Sequence, residues 1–400
     1  MKQLQVKASV VLVSIIIGLV LIELTLMLLG IEYPHFFYPD PHVQMKFRPG
    51  IKGYWLKEGG GYVSINSDGL RDREHNIRKP PNTLRIAILG DSFAAAMEVN
   101  QEEAFWAIME NELQSCINLQ GRNIEVINFG IPGLSTTQEL LVLRHRVWKY
   151  SPDVVLLAFF TNNDVAENSK DLAKYWPGDD YAPYYGYQNG KLVLDDKLTK
   201  EEYGKLTPKE NWPWWFSFSV WLKDNSRTFQ LFRQFHKVLW VWWFQTHERG
   251  VSAATKPGLE SNPQIDIYRE PTDRVWKDAW RVTEGVMLMM RDEISAKGSR
   301  FFVVVVSAPA QVYPDPETRK KFTKKLGVPN LFYPDRRLEK FCQKEGIPVL
   351  LLAPAFQEYA TAHKVFLHGF QGNLSTGHWN QSGHRLAGNM IARWLCGQLP

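Results

Sequence analysis

Five short runs constrain this chain more than anything else in it: "LRIAIL" from Leu84, "IEVINF" from Ile124, "DVVLLAFF" from Asp153, "RFFVVVV" from Arg300 and "IPVLLLA" from Ile347. Each is too short for a helix of ordinary length and rich in β-branched or aromatic residues, which marks a strand. Strands this uniformly apolar are buried on both faces. The first three alternate with helical patterns in "EEAFWAIMENEL" and "TTQELLVLRHRVWKY". The expected architecture is α/β, a parallel sheet sandwiched between helices. A longer helix is expected from Thr272 to Lys297, where Val275, Trp276, Ala279, Val282, Val286, Met290 and Ile294 fall mainly on one face.

The N-terminus carries a different signal. Residues 8 to 30, "ASVVLVSIIIGLVLIELTLMLLG", hold Glu23 as their single charge and are long enough to cross a bilayer. No small-residue cleavage site follows, which favours an uncleaved anchor over a removed signal peptide. Lys2 and Lys7 precede the run, so the positive-inside rule places residues 31 to 400 outside the cytoplasm. The expected organisation is a cytoplasmic tip and transmembrane anchor over 1–30, then a juxtamembrane segment over 31–82 packed against a single domain over 83–400. Turns and short strands suit the Pro-, Gly- and Tyr-rich stretch from 31 to 80.

About a hundred residues, roughly 165–270, separate the third run from the long helix, far beyond an ordinary connection. This insertion contains Trp212, Trp214, Trp215, Trp221, Trp240, Trp242 and Trp243 among Phe216, Phe218, Phe229, Phe232, Phe235 and Phe244. Charges interrupt it too often for a second span. Two readings stand: a lid or surface at the bilayer interface, where Trp is favoured, and an aromatic core between helices packed over the main domain.

In open parallel sheets, ligands bind beyond the carboxyl ends of the strands. After the first run stands Gly90-Asp91-Ser92, after the second "NFGIPGLS", after the third "TNND", and near the C-terminus "GHWNQSGH". These supply a hydroxyl, glycine turns, a side-chain amide and an imidazole. Serine needs a base within hydrogen-bond reach, which histidine supplies near neutral pH, and a tetrahedral intermediate needs preset donors for its negative oxygen. Each residue alone has a local structural explanation, such as a helix cap or turn. Their order after successive strands does not.

These motifs resemble those of the SGNH hydrolases of the GDSL type, a flavodoxin-like family of serine esterases, lipases and polysaccharide deacetylases. The resemblance covers roughly residues 83 to 170 and 300 to 400. It implies a doubly wound five-stranded parallel sheet, with the nucleophile at Ser92 in "GDSF" and the base at His378 in "GHWN". It places the oxyanion hole at the Ser92 N–H, Gly133 in "GIPG" and Asn163 in "NND". Two positions depart from the family pattern. Thr161 replaces the glycine of Gly-x-Asn-Asp, and Ser375 stands where the family carries the acid three residues before its histidine. A backbone carbonyl, Ser375 itself or a carboxylate from elsewhere must then orient His378.

The expected function is hydrolysis of O-acyl esters, acetyl above all, of carbohydrates or other small molecules outside the cytoplasm. Acyl transfer and an inactive glycan- or envelope-binding relative are the alternatives. No cofactor is expected. His363, His368, His378 and His384 lack metal-ligand spacing, so no metal is expected either, and His384 reads as a brace for the last helix. The sequons Asn373-Leu-Ser375 and Asn380-Gln-Ser382 are too short a pattern to carry weight, and a glycan there would crowd His378. Nucleic acid is a poor partner, because 47 basic and 42 acidic residues are mixed along the chain without a basic block. Cys116, Cys342 and Cys396 show no close pair and read as three buried thiols, with a single bridge as the alternative.

Overall fold

The computed structural model describes residues 2–173, 181–206, 214–247 and 265–399. Helix α1 (Lys2–Leu28) leads the chain; its stretch Gln5–Leu28 has a mean hydropathy of 2.8, and its large apolar side chains from Val6 to Ile22 stand exposed. Length and composition suit a membrane anchor, and suit a signal sequence as well. Two small antiparallel pairs follow, β1 (Phe37–Asp40) with β2 (Gln44–Phe47) and β3 (Lys52–Tyr54) with β4 (Tyr62–Ser64). Phe36, Val43, Phe47, Val63 and Ile65 of this segment are buried in the same core as the main sheet.

The α/β domain begins with β5 (Thr83–Gly90), α2 (Ser92–Ala95), α3 (Phe105–Leu113), β6 (Asn123–Asn128), α4 (Thr136–Val142) and β7 (Val154–Phe160). The insertion contributes α5 (Thr161–Asp164), α6 (Lys170–Ala173), the hairpin β8 (Tyr184–Gln188) and β9 (Lys191–Asp195), α7 (Lys197–Leu206), α8 (Trp214–Asn225) and α9 (Arg227–His247). The chain then returns through α10 (Arg274–Ala296), β10 (Arg300–Val306), α11 (Pro316–Leu326), α12 (Tyr333–Lys344), β11 (Val349–Leu351), α13 (Ala353–His363) and α14 (Gln381–Gln398). Asp273 starts α10 by accepting the Trp276 N–H at 2.9 Å, close to where the apolar periodicity puts the helix.

The central sheet runs β11-β10-β7-β5-β6, all parallel. Numbered by sequence among themselves, the strands stand in the order 2-1-3-4-5, the flavodoxin-like doubly wound arrangement. Alternate residues of each strand feed opposite cores. Ala87, Leu89, Val155, Leu157, Val303 and Val305 face one side, with Val286 and Met290 of α10. Ile86, Ile88, Leu156 and Val304 face the other, with Phe105 of α3 and Ile391 of α14. That double burial is why the runs lack polar alternation.

One expectation changes. Cys116 and Cys396 form a disulfide, their Cα atoms 5.8 Å apart, so the reading of three buried thiols holds for Cys342 alone. Packing of α3 against α14 brings together cysteines 280 residues apart, which spacing along the chain cannot reveal. Of the two readings of the insertion, the described side chains of α8 and α9 favour the exposed surface over the aromatic core: Trp214 is 78% exposed, Trp221 55% and Phe232 64%. Trp212 and the side chains of Phe216, Trp240, Trp242, Trp243 and Phe244 lie outside the described residues.

Candidate active site

β5 ends at Gly90, and the backbone turns at once into α2. Asp91 caps that helix by accepting the Phe93 N–H at 2.9 Å, and Ser92 follows as its first residue. The acid beside the hydroxyl therefore has a structural duty that leaves the Ser92 side chain free to face the loops beyond the sheet.

His378 arrives from the loop before α14, which begins at the Asn380 cap. The loop is braced from below by His368: its ring contacts the Ser307 hydroxyl at 3.1 Å and the Gly377 carbonyl at 3.0 Å, while Trp379 Nε1 donates to Ser307 Oγ at 2.9 Å. Burial drives the His368 pKa down to about 3, so this ring is a neutral strut. His384 is likewise buried and accepts the Phe105 N–H at 3.3 Å, tying α14 to α3.

His378 Nε2 lies 2.8 Å from Ser92 Oγ. On the other side of the ring, Nδ1 lies 2.6 Å from Glu58 Oε2, and the His378 backbone N–H donates to Glu58 Oε1 at 3.0 Å. With Nδ1–H donated to the carboxylate, the Nε2 lone pair is left to accept the serine proton. The orienting role that the sequence leaves open at Ser375 is filled by Glu58. Ser375 instead turns the loop, at φ 70°, and its N–H donates to the His368 carbonyl at 2.9 Å.

Glu58 lies between β3 and β4. Its turn is laid against the chain just after α2: Tyr62 N–H donates to Asn100 Oδ1 at 3.1 Å, and a Cβ on Gly59 or Gly61 would overlap the backbone of residues 97–99. At Gly377 (φ 67°), a Cβ would overlap the Glu58 carboxylate itself. A second acid, Glu98, places Oε1 3.3 Å from His378 Nδ1 and is almost wholly buried, with Arg71 supplying nearby positive charge.

Burial disfavours the His378 imidazolium, but the charges of Glu98 and Glu58, the Glu58 hydrogen bond and Asp91 outweigh it and lift the pKa to about 9. Burial pushes Glu98 upward. For Glu58, burial is outweighed by the hydrogen bonds and charge of His378, which lower it. The ligand atoms of Glu58, Glu98 and His378 lie within 4.8 Å of one another, a spacing that admits a cation. A cation there would displace the proton that Nδ1 shares with Glu58, so the hydrogen-bonded array reads more directly as acid–base machinery.

Asn163 sits in the first turn after β7, its Nδ2 donating to Asp91 Oδ2 at 2.9 Å, so one carboxylate locates both Ser92 and the amide. The amide's second hydrogen remains for a ligand. Thr161 opens this helical turn fully buried and needs no special backbone conformation. Gly133 adopts φ 75°, a left-handed conformation that glycine reaches without strain.

No family model matches this sequence, and no curated protein matches it. Solved structures similar to it include an acetyl xylan esterase, AlAXEase, at 11% identity over 79% of this chain and 100% of that one, TM-score 0.35. Others are a lipase/acylhydrolase from Enterococcus faecalis (16% identity; 79% and 97% covered; TM-score 0.35) and an acetylxylan esterase from Geobacillus stearothermophilus, solved as a catalytic mutant (10% identity; 77% and 92%; TM-score 0.37).

Proposed function

We propose that this protein is a serine ester hydrolase of SGNH type, held on a membrane by α1 and acting outside the cytoplasm on acyl esters, acetyl esters of carbohydrates first among them. The observation that carries the reading is the continuous chain Ser92 Oγ, His378, Glu58, with 2.8 and 2.6 Å links. Ser92 attacks the ester carbonyl while its proton passes to His378 Nε2. The negative oxygen meets the Ser92 N–H, the Gly133 N–H and Asn163 Nδ2. Collapse of the intermediate returns the proton to the departing alcohol and leaves an acyl-serine, which water activated by the same imidazole releases. Throughout, Glu58 holds the ring and offsets its transient charge.

An inactive binding relative would be favoured by an imidazole without an acid, and Glu58 removes that premise. Acyl transfer to a sugar shares every step but the last, with a hydroxyl replacing water. The Cys116–Cys396 disulfide supports an oxidising compartment, in agreement with the lysines ahead of α1. The test is turnover of p-nitrophenyl acetate by the full chain in detergent, beside Ser92→Ala and His378→Ala. Each variant is expected to lose about a hundredfold or more. Equal turnover by all three proteins overturns the assignment, and a steep preference for long acyl chains overturns the substrate class.

A further inference from the structure

Glu23 is the single charge in the apolar run of α1, and a carboxylate there requires a partner. It has three. Its oxygens accept the Arg227 N–H at 2.7 Å, the Thr228 N–H at 2.9 Å and the Ser226 hydroxyl at 3.0 Å, capping the first turn of α9. Arg227 in turn donates to the Leu26 and Met27 carbonyls at the end of α1, at 3.0 and 3.3 Å, and pairs with Glu32 at 3.3 Å. Tyr33 N–H donates to Gln230 Oε1 at 2.9 Å, and Arg48 pairs with Asp224 of α8 at 2.6 Å. The α8–α9 pair is thus clamped to the end of α1 by these polar groups, with Leu26 buried beside them.

Its apolar groups point elsewhere. On α8, Trp214, Phe218 and Trp221 recur at helical spacing and are 78%, 50% and 55% exposed. On α9, Phe232, Phe235 and Leu239 form a second exposed stripe at 64%, 59% and 45%, on the face opposite buried Gln230. So much clustered aromatic surface is not left to water. The body of α1 is not its partner, since Leu19 and Ile22 remain 49% and 45% exposed.

Depth identifies the partner. The span Gln5–Leu28 has 24 residues, about 36 Å of helix at 1.5 Å per residue, against a hydrocarbon core of about 30 Å. Glu23, five residues before the helix end, then lies within about 5 Å of the outer boundary of that core. The start of α9 is pinned at that level. Beyond the clamped Arg227, the sequence of α9 carries Arg233 and Lys237 and no acid, a charge pattern that suits anionic headgroups.

We propose that α8 and α9 form a second membrane-contact surface, lying in the outer headgroup region of the bilayer that α1 crosses with Trp214, Phe218, Trp221, Phe232 and Phe235 turned toward the acyl chains. Together with α1 the pair fixes the height and rotation of the domain, which a single helix cannot do. The inference rests on α1 being a retained anchor, and the experiment separates the two claims. Single cysteines replacing Ile16, Trp221 and Phe232, with Ile77→Cys as an exposed control, are labelled with an environment-sensitive fluorophore in the full chain. The proteins are reconstituted into phosphatidylcholine–phosphatidylglycerol vesicles and quenched with nitroxide lipids or aqueous iodide. Stronger quenching by nitroxide lipid at Ile16, Trp221 and Phe232, with iodide quenching only Ile77, is the expected result. Nitroxide quenching at Ile16 but iodide quenching at both Trp221 and Phe232 overturns the inference and leaves the anchor intact. Shielding of both Trp221 and Phe232 from both quenchers indicates a protein partner and also overturns it. Loss of lipid quenching at Ile16 overturns the anchor and the inference together.

Discussion

His378 engages both carboxylate oxygens of Glu58, one through its ring Nδ1 at 2.6 Å and one through its backbone N–H at 3.0 Å, across 320 residues of sequence. A two-point contact fixes the ring's position as well as its tautomer. It also makes the segment that follows α1 part of the candidate site: the β3–β4 turn that carries Glu58 must be docked for His378 to face Ser92.

Glu58→Gln keeps the shape of the side chain but removes the charge that stabilises the imidazolium. Its kcat toward p-nitrophenyl acetate should fall by about a hundredfold or more, with KM little changed, because the interaction matters most in the transition state. Ser375→Asp should leave wild-type activity nearly unchanged, since the orienting position is already filled. Strong activation by Ser375→Asp would show that Glu58 does not serve the ring.

Gly377 is where Glu58 comes closest to the loop backbone. A methyl group there overlaps the carboxylate and would occupy a left-handed φ of 67°. Gly377→Ala should therefore mimic Glu58→Gln in kcat while the domain stays folded by circular dichroism. Gly372→Ala, in the same loop at φ 90° but with open space around it, is the control: it carries the backbone strain without the clash.

The sheet was legible because burial on both faces leaves a plain record, five apolar runs with no polar alternation. Ser92 and His378, which meet at 2.8 Å, and Asn163, which donates to Asp91 beside them, were legible as candidates because each closely follows a strand or precedes a helix, where short motifs survive. Glu58 was not. "KEGGGY" shows an acid in a glycine turn, but only the docking of that turn against residues 97–99 brings it to His378. Glu98 hid for a similar reason, since burial of a carboxyl six residues beyond Ser92 depends on packing from the β3–β4 turn. The disulfide and the clamp between Glu23 and α9 are also products of tertiary contact, invisible to periodicity and spacing.

The bond between Cys116 and Cys396 closes most of the domain into one covalent loop. Losing a native disulfide typically costs about 2–5 kcal/mol. Cys116→Ser should lower the midpoint of urea unfolding by that measure while leaving kcat/KM of the folded enzyme intact, because neither cysteine touches the site. Identical unfolding midpoints for wild type and variant would show that the bond does not form.

Beneath the site, Glu139 is fully buried with neither carboxylate oxygen hydrogen-bonded, and burial together with the charges of Asp91 and Glu167 drives its pKa well above 4.5. An acid held neutral in the folded state loses stability as pH rises from the unfolded value of 4.5 toward its folded one, because only the unfolded chain ionises there. Glu139→Gln removes that loss. Its Tm should match wild type near pH 4 and exceed it increasingly through neutral pH; a constant offset across the range would contradict this.

His378 carries the sharpest pH signature. A general base must be unprotonated to act, and with its pKa lifted to about 9 only a small fraction is ready at neutral pH. The plot of kcat/KM against pH should therefore climb well past the ordinary imidazole value of 6.5 and level near 9. Glu98, at 3.3 Å from Nδ1, is the largest of the influences raising that pKa, while burial pushes its own carboxyl upward. Glu98→Gln should shift the rising limb toward lower pH and raise activity at pH 7. It should also change stability in a definite direction. A histidine whose pKa is raised on folding contributes stability that is fully present below 6.5 and lost as pH rises through 9, so wild-type Tm should decline across that window more steeply than the Tm of Glu98→Gln. A rising limb that stays in place in Glu98→Gln, with wild-type kcat at pH 9, would assign the lifted pKa to Glu58 alone.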